Sequence, residues 1–140
     1  MPRVLRIAHV AVVTDDLDAA LAFWHRALGL PLAAVREVAA EGVRVAFMPV
    51  GESEIEAVVP VQADTGVARY LQKRGPGMHH VCLEVDDLPG MLAQLRAAGV
   101  QLIHEQPQQA PDGRRYAFVH PKSAGGVLVE LYEAVRPGDE

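Results

Sequence analysis

The chain has 140 residues, half of them apolar, and a formal net charge of −5 at pH 7. This length predicts one compact domain with a buried core, and the apolar content excludes a disordered chain. The acidic residues are spread along the chain, which argues against a nucleic-acid surface or a basic membrane patch. The single cysteine, Cys82, excludes an internal disulfide framework and cysteine-based zinc sites.

No apolar run in the sequence approaches the length of a membrane span, and the first residues lack the apolar region of a secretory signal. We therefore expect a cytoplasmic protein.

The first half of the chain predicts the order β-α-β-β-β. Its first strand, at about residues 5–13, alternates so that His9, Ala11 and Val13 share one face. A helix should begin at Asp15 or Asp16 and end at Gly29, which can adopt a left-handed C-cap. Strands should follow at about residues 33–38, 43–49 and 54–59. The expected core positions of the helix are Leu17, Ala20, Leu21, Trp24 and Leu28.

A connector at about residues 61–77 precedes the second half. Asp64 can cap a short helix there, and Gly75, Pro76 and Gly77 should end it. The second half then predicts a strand at 79–85, a helix that ends at Gly99, and strands at about 101–105, 115–120 and 126–132. The expected core positions of this helix are Leu88, Met91, Leu92 and Leu95. The tail from Val135 onward is polar and expected to fray.

The two halves repeat one pattern. His9, followed by an apolar strand and the Asp15-Asp16-Leu17 helix start, matches His80 with Asp86-Asp87-Leu88 at one constant offset. We therefore predict a single α+β domain over residues 1–140 that contains two tandem βαβββ modules, one at about 5–60 and one at about 78–133.

Polar residues on otherwise apolar strand faces are the candidates for chemistry, because an unpaired charge buried there would cost several kcal/mol. His9 and His80 lie in the first strand of each half, and Glu56 and Glu130 lie in the last strand of each half. A divalent metal would compensate such a set. Two imidazoles and two carboxylates suit Co²⁺, Mn²⁺, Fe²⁺, Ni²⁺ or Zn²⁺, and they leave positions open for substrate oxygens.

The remaining histidines and one glutamate favour ordinary roles. His79 alternates to the face opposite His80 and should be structural or supporting. Glu84 shares the face of His80 and could be a solvated edge residue or a catalytic helper, of which the first is favoured. Surface positions are expected for His25, His104 and His120.

Five segments resemble a known family in their order and spacing. The chain is similar to the vicinal oxygen chelate superfamily, which includes glyoxalases and extradiol dioxygenases, and within it to the epimerases of methylmalonyl-CoA. The segments are Ile7-Ala8-His9-Val10-Ala11-Val12, Gly42-Val43-Arg44-Val45-Ala46-Phe47, Ile55-Glu56 before Pro60, Gly77-Met78-His79-His80 with Glu84-Val85-Asp86-Asp87, and His120-Pro121-Lys122-Ser123 leading to Gly126-Val127-Leu128-Val129-Glu130-Leu131.

The resemblance implies a curved mixed sheet around a divalent metal, cobalt being the expected ion, with His9, Glu56, His80 and Glu130 as ligands. It implies interconversion of (R)- and (S)-methylmalonyl-CoA through an enolate, with Glu130 as one acid/base, and it implies a homodimer. Some members carry a second glutamate in the strand that here spans 43–47, where no carboxylate occurs. The second acid/base is therefore unassigned, with Glu41, Glu56 or a water as candidates.

Three other functions are compatible with the resemblance, and each can be distinguished from an epimerase by its substrate or its metal ligands. A glyoxalase-I-like isomerase would act on a hemithioacetal of glutathione rather than an acyl-CoA. An Fe(II) extradiol dioxygenase would use two histidines and one carboxylate, whereas Glu56 supplies a fourth ligand. A metal-free drug-binding protein of the same fold would lack the four ligands. The loop at 109–113, which contains Ala110 and Pro111 where relatives tend to show a glycine-containing loop, leaves the acyl group open.

Overall fold

The computed structural model describes residues 1–135, so the predicted fraying of the tail falls largely outside the described residues. The chain forms two compact units. The first unit is His9–His79, and the second unit consists of Met1–Ala8 and the described residues from His80 onward. Strand β1, Val4–Val13, runs from the second unit into the first, and strand β5, Gly77–Val85, runs from the first unit back into the second.

The observed elements follow the predicted β-α-β-β-β order twice, which confirms the α+β class and the tandem order of its elements. The first set comprises β1 Val4–Val13, α1 Leu17–Leu21 with a π-helical continuation Ala22–Ala27, β2 Ala34–Val38, β3 Val43–Val50 and β4 Ser53–Pro60. Helix α2, Gly66–Arg74, connects the sets. The second set comprises β5 Gly77–Val85, α3 Leu88–Ala97, β6 Gln108–Gln109, β7 Arg115–Val119 and β8 Val129–Glu133. Short 3-10 helices lie at Ala39–Glu41 and Pro121–Ser123.

In the first unit the strands are ordered β2-β3-β4-β1. Strands β1 and β4 are parallel, and the other neighbours are antiparallel. One face of these strands packs on α1 through Ala46, Met48 and Ala57, and the other packs on α2 around Ala11, Val13 and Val45. The two faces therefore have separate small cores, as strand alternation requires.

In the second unit the order is β1-β5-β8-β7-β6, with β5 and β8 parallel. Helix α3 covers one face, where its Leu88, Met91 and Leu92 pack on Val85 and Leu131. This helix begins at Asp87, whose carboxylate accepts the Gly90 N–H at 3.0 Å. The opposite face of these strands is left for polar and aromatic side chains.

Helix ends agree with the sequence in part. Asp16 caps α1 as expected, and Gly29 follows the helix at φ +90°. The cap of α2 is Thr65 rather than Asp64, because the Thr65 hydroxyl accepts the Ala68 N–H at 3.1 Å. The π-helical turn was not predicted. It rotates Leu28 out of the expected core, and that side chain is 55% exposed.

The strand predicted at 101–105 does not form. Leu102 makes a single bridge to Val119, after which the amides of Ile103 and His104 both donate to the Phe118 carbonyl. Because one carbonyl accepts both bonds, the ladder cannot continue, and the paired residues are instead Gln108–Gln109. Strand β8 begins at Val129, later than predicted. Within residues 1–135 no helix is long and apolar enough to cross a membrane.

Candidate metal centre and active site

The first unit brings His9 and Glu56 together. Ala11 is the register partner of Glu56 on the parallel strands β1 and β4, so His9 lies one step along the same face. The side chains lean along this diagonal until His9 Nδ1 is 3.0 Å from Glu56 Oε2. Both side chains are largely buried, at 13% and 15% exposure.

The second unit repeats this construction with His80 and Glu130. Cys82 is the register partner of Glu130 on the parallel strands β5 and β8, and His80 again precedes the partner by two residues. His80 Nε2 lies 3.1 Å from Glu130 Oε1, and the side chains are 13% and 10% exposed. The four residues that the sequence selected therefore form two histidine–glutamate pairs, one in each unit.

Each pair suits the coordination of a divalent cation. Ligands at right angles with bonds of about 2.1 Å lie about 3 Å apart, which matches both nitrogen–oxygen distances. A cation would be bound by the deprotonated form of both partners, because imidazole and carboxylate ligands bind metals in their deprotonated forms. The donor set, nitrogen and oxygen in equal number, fits the divalent transition metals rather than calcium.

An aromatic cluster in the second unit includes the register partner of Glu130. Phe118 on β7 is the register partner of Glu130, and its ring lies edge-on to His80 with centroids 5.5 Å apart. The His104 ring also contacts those of Phe118 and Tyr116, with centroids 5.8 Å apart in each case. Two imidazoles, those of His80 and His104, therefore contact the ring of Phe118, the register partner of Glu130.

His104 is half-buried, so its predicted surface position is wrong. The Phe118 N–H donates to His104 Nδ1 at 3.0 Å. Burial lowers the pKa of His104, and the nearby negative charge of Glu130 opposes this change without reversing it. His104 is thus held as a neutral imidazole.

Glu84 is not the solvated edge residue that the sequence favoured. Its carboxylate is 14% exposed and accepts from Arg6 at 3.0 Å and from Arg114 at 3.2 Å. Burial alone would raise the pKa of Glu84, but the hydrogen bonds and charges of the two guanidinium groups outweigh burial and lower it. One carboxylate therefore holds two cations on the face that also carries His80.

The loop at 109–113 is tied to the strand of Glu130. The Tyr132 hydroxyl, on the same face two residues beyond Glu130, donates to Asp112 Oδ1 and Oδ2 at 3.0 and 2.9 Å. Arg114 lies over the Tyr132 ring at 4.4 Å. Burial raises the pKa of the Tyr132 hydroxyl, and the Asp112 carboxylate raises it further, so this hydroxyl remains a donor. The loop thus stands over one end of the Glu130 face.

The other candidate residues have structural surroundings. His79 packs edge-on against Tyr70 of α2 with centroids 4.7 Å apart, as a structural residue should. His25 is half-buried rather than solvated, because its Nδ1 lies 2.6 Å from the Leu30 carbonyl. His120 is also half-buried, and its Nδ1 accepts the Lys122 N–H at 3.1 Å. Glu41 lies exposed in the 3-10 helix Ala39–Glu41.

The sequence did not single out Arg6, Arg114 or Asp112, although all three contact residues of the Glu130 face. Their partners, Glu84 and Tyr132, were recognisable from strand alternation as residues of that face. The arginines and Asp112 lie far from those partners along the chain. No short-range pattern could therefore have paired them.

Comparison with known proteins identifies the family of the chain. Residues 8–118 match the model of the glyoxalase/bleomycin resistance protein/dioxygenase superfamily. The mitochondrial methylmalonyl-CoA epimerase of Homo sapiens is 35% identical over 130 residues, which cover 92% of this chain and 74% of the human protein.

Two solved structures are similar over almost their whole length. The methylmalonyl-CoA epimerase of Mycobacterium tuberculosis is 34% identical, with a TM-score of 0.84, and the match covers 96% of this chain and 91% of that one. A variant of the Streptomyces coelicolor methylmalonyl-CoA epimerase, in complex with 2-nitronate-propionyl-CoA, is 29% identical, with a TM-score of 0.85 and 95% and 96% coverage. The chain therefore belongs to the glyoxalase/bleomycin resistance protein/dioxygenase superfamily and, within it, to the methylmalonyl-CoA epimerase family.

Proposed function

We propose that the protein is a metal-dependent epimerase that interconverts (R)- and (S)-methylmalonyl-CoA. The observation that carries this proposal is the repeated pairing of a histidine with a glutamate, at 3.0 Å in the first unit and 3.1 Å in the second. Relatives named methylmalonyl-CoA epimerase support the choice of reaction and of an acyl-CoA substrate.

His9, Glu56, His80 and Glu130 would hold the metal, for which cobalt is the proposed ion and Mn²⁺, Ni²⁺, Zn²⁺ and Fe²⁺ are the alternatives. Convergence of the two pairs on one ion is part of the proposal. A divalent cation held there would supply Lewis-acid polarisation of the substrate's oxygens, which would make the proton at C2 more acidic.

Glu130 is the proposed acid/base. In the forward step the C2–H bond breaks, a Glu130 oxygen accepts the proton, and the electron pair delocalises into the thioester carbonyl to give an enolate. If a proton is then added to the opposite face of C2, the product is the other epimer. If it is added to the same face, the substrate is regenerated. Glu130 suits this role because its side chain is 10% exposed and lies beside the apolar ring of Phe118, where a proton bound to the carboxylate is shielded from water.

The test is proton exchange at C2. Metal-loaded protein incubated with one epimer of methylmalonyl-CoA in heavy water should introduce deuterium at C2 and produce the other epimer. Glu130→Gln and His80→Ala should abolish both. The absence of exchange beyond the rate without enzyme would overturn the assignment, and turnover of a glutathione hemithioacetal in its place would identify a glyoxalase-type isomerase.

Two further expectations belong to this proposal. A homodimer should be visible as twice the chain mass in size-exclusion chromatography with light scattering. The cytoplasmic location stays a prediction, to be checked by fractionation of the source cells.

A further inference from the structure

We propose that His104 is a neutral hydrogen-bond donor of the active site, whose Nε2–H contacts the thioester oxygen as negative charge develops on it. This inference rests on the proposed function, since it assigns a role within the same reaction. His104 touches none of the four proposed metal ligands in the hydrogen bonds and ring contacts described above. It therefore adds a substrate contact rather than a ligand.

The position of His104 is set by β7. Residues Ala117 and Val119 of this strand face α3, so the intervening Phe118 faces the Glu130 side. The His104 ring lies against Phe118 and Tyr116 on that same side, and the charge of Glu130 acts on it. The imidazole is therefore part of the wall around Glu130.

The tautomer of His104 is fixed by a hydrogen bond from a backbone amide. Because the Phe118 N–H donates to Nδ1, this nitrogen must carry a lone pair, and the ring hydrogen lies on Nε2. A second proton on Nδ1 would place two donors against each other. His104 is consequently unsuited to shuttle protons, which excludes it as the unassigned second acid/base, but it can present a constant N–H.

The Nε2–H is available to a ligand. Within residues 1–135 His104 Nε2 has no hydrogen-bond partner, and no fully buried side-chain nitrogen or oxygen there lacks one. Nε2 is therefore not fully buried. An accessible donor next to a proposed carbon-acid base suits an oxygen that becomes negative in the transition state, because donors fixed before the reaction need no reorganisation.

Two substitutions separate this role from a structural one. His104→Asn keeps an acceptor near Nδ1 for the Phe118 amide but removes the donor at Nε2. His104→Gln can place an amide N–H near Nε2 but loses the acceptor at Nδ1. A donor role predicts that kcat for methylmalonyl-CoA falls about 100-fold in the Asn variant, with little change in KM, and that the Gln variant retains more activity. A structural role predicts the reverse order, and that result would overturn the proposal.

The matched control is His120→Asn. His120 Nδ1 also accepts a backbone N–H, that of Lys122, but the residue precedes the 3-10 helix Pro121–Ser123. This variant should keep wild-type kcat. If kcat falls as much in His120→Asn as in His104→Asn, the fall in kcat does not depend on the position of His104, and the proposal is wrong.

A second readout does not depend on turnover. Nitrogen-15 spectra of the imidazoles at about pH 8 should show His104 as the Nε2–H tautomer, because the Phe118 N–H occupies the lone pair of Nδ1. A doubly protonated or Nδ1–H ring would overturn the proposal even if the enzyme is active. If wild-type protein shows no epimerisation, the proposed function fails, while these spectra still decide the state of His104.

Discussion

Glu56 and His9 meet along a diagonal of two parallel strands, since the register partner of Glu56 is Ala11 and the side chains nevertheless approach to 3.0 Å. Glu130 and His80 meet along the same diagonal, with Cys82 as the register partner. Because both pairs use one parallel register, the duplication of the βαβββ order is sufficient to build a histidine–carboxylate pair twice.

The first prediction concerns metal and stability. Co²⁺ added to metal-free protein should raise the midpoint of thermal unfolding, because an ion bound only by the folded state stabilises it, by about 2.7 kcal/mol at 100 times the Kd. His9→Ala should require a higher Co²⁺ concentration for the same shift. Thermal scans over a concentration series measure both effects. The control is His120→Asn, which should respond as the wild type does, and an unchanged response in His9→Ala would remove His9 from the ligand set.

Strand alternation and the repeat were enough to predict most of the fold. The positions of β1, β3, β4 and β7 follow from apolar alternation bounded by turn residues, and Asp16 and Gly29 follow from capping preferences. These features are local, so the sequence near each residue carries the information. The same reasoning selected His9, Glu56, His80 and Glu130, because each is a polar residue on an apolar strand.

Other features depend on partners distant in the chain and were not predictable. The strand expected at 101–105 satisfied the pattern, but its amides share the Phe118 carbonyl. The sequence favoured a solvated edge position for Glu84, because its partners Arg6 and Arg114 are distant from it in the chain and could not be recognised. Nothing in the amino-acid composition of Ala22–Ala27 distinguishes its π-helical turn from an ordinary α-helix.

A second prediction concerns the loop at 109–113. Tyr132→Phe removes the donor to Asp112 and should lower the free energy of unfolding by about 1 kcal/mol. Hydrogen exchange at the Ala110 amide, which donates to the Arg114 carbonyl, should become faster. The matched control is Tyr70→Phe, which also removes one hydroxyl donor, to the Met78 carbonyl, but in the first unit. Equal exchange at Ala110 in both variants would mean that Tyr132 does not hold the loop.

A third prediction uses two glycines with positive φ. Gly42 has φ +65°, and a Cβ there would lie 2.8 Å from Thr65 Cγ2, on the residue that caps α2. Gly29 has φ +90° and open space around a Cβ. Both alanine variants should lose about 1–2 kcal/mol from backbone strain, and Gly42→Ala should lose more because Thr65 must also move. Urea unfolding of both variants tests this, and equal losses would show that α2 adjusts without cost.

The last prediction concerns Glu84 and pH. Glu84→Gln removes the charge that pairs with Arg6 and Arg114 and should cost about 1–3 kcal/mol at neutral pH. The pKa of Glu84 is lower in the folded protein than its ordinary value of 4.5, so the stabilisation is complete above that value and is lost as the pH falls through the folded-state pKa. The difference in unfolding free energy between wild type and variant should therefore shrink below about pH 4.5. Urea titrations at several pH values measure it.

The matched control for Glu84 is Glu37→Gln. Glu37 also pairs with an arginine, Arg44, but its side chain is 59% exposed and that of Arg44 is 44% exposed. An exposed pair is screened by water and contributes at most about 1 kcal/mol, so this variant should change stability little at any pH. If Glu84→Gln behaves like Glu37→Gln, burial does not strengthen the Arg6–Glu84–Arg114 contacts. A difference that persists unchanged at low pH would instead show that Glu84 stabilises the fold through packing rather than through its charge.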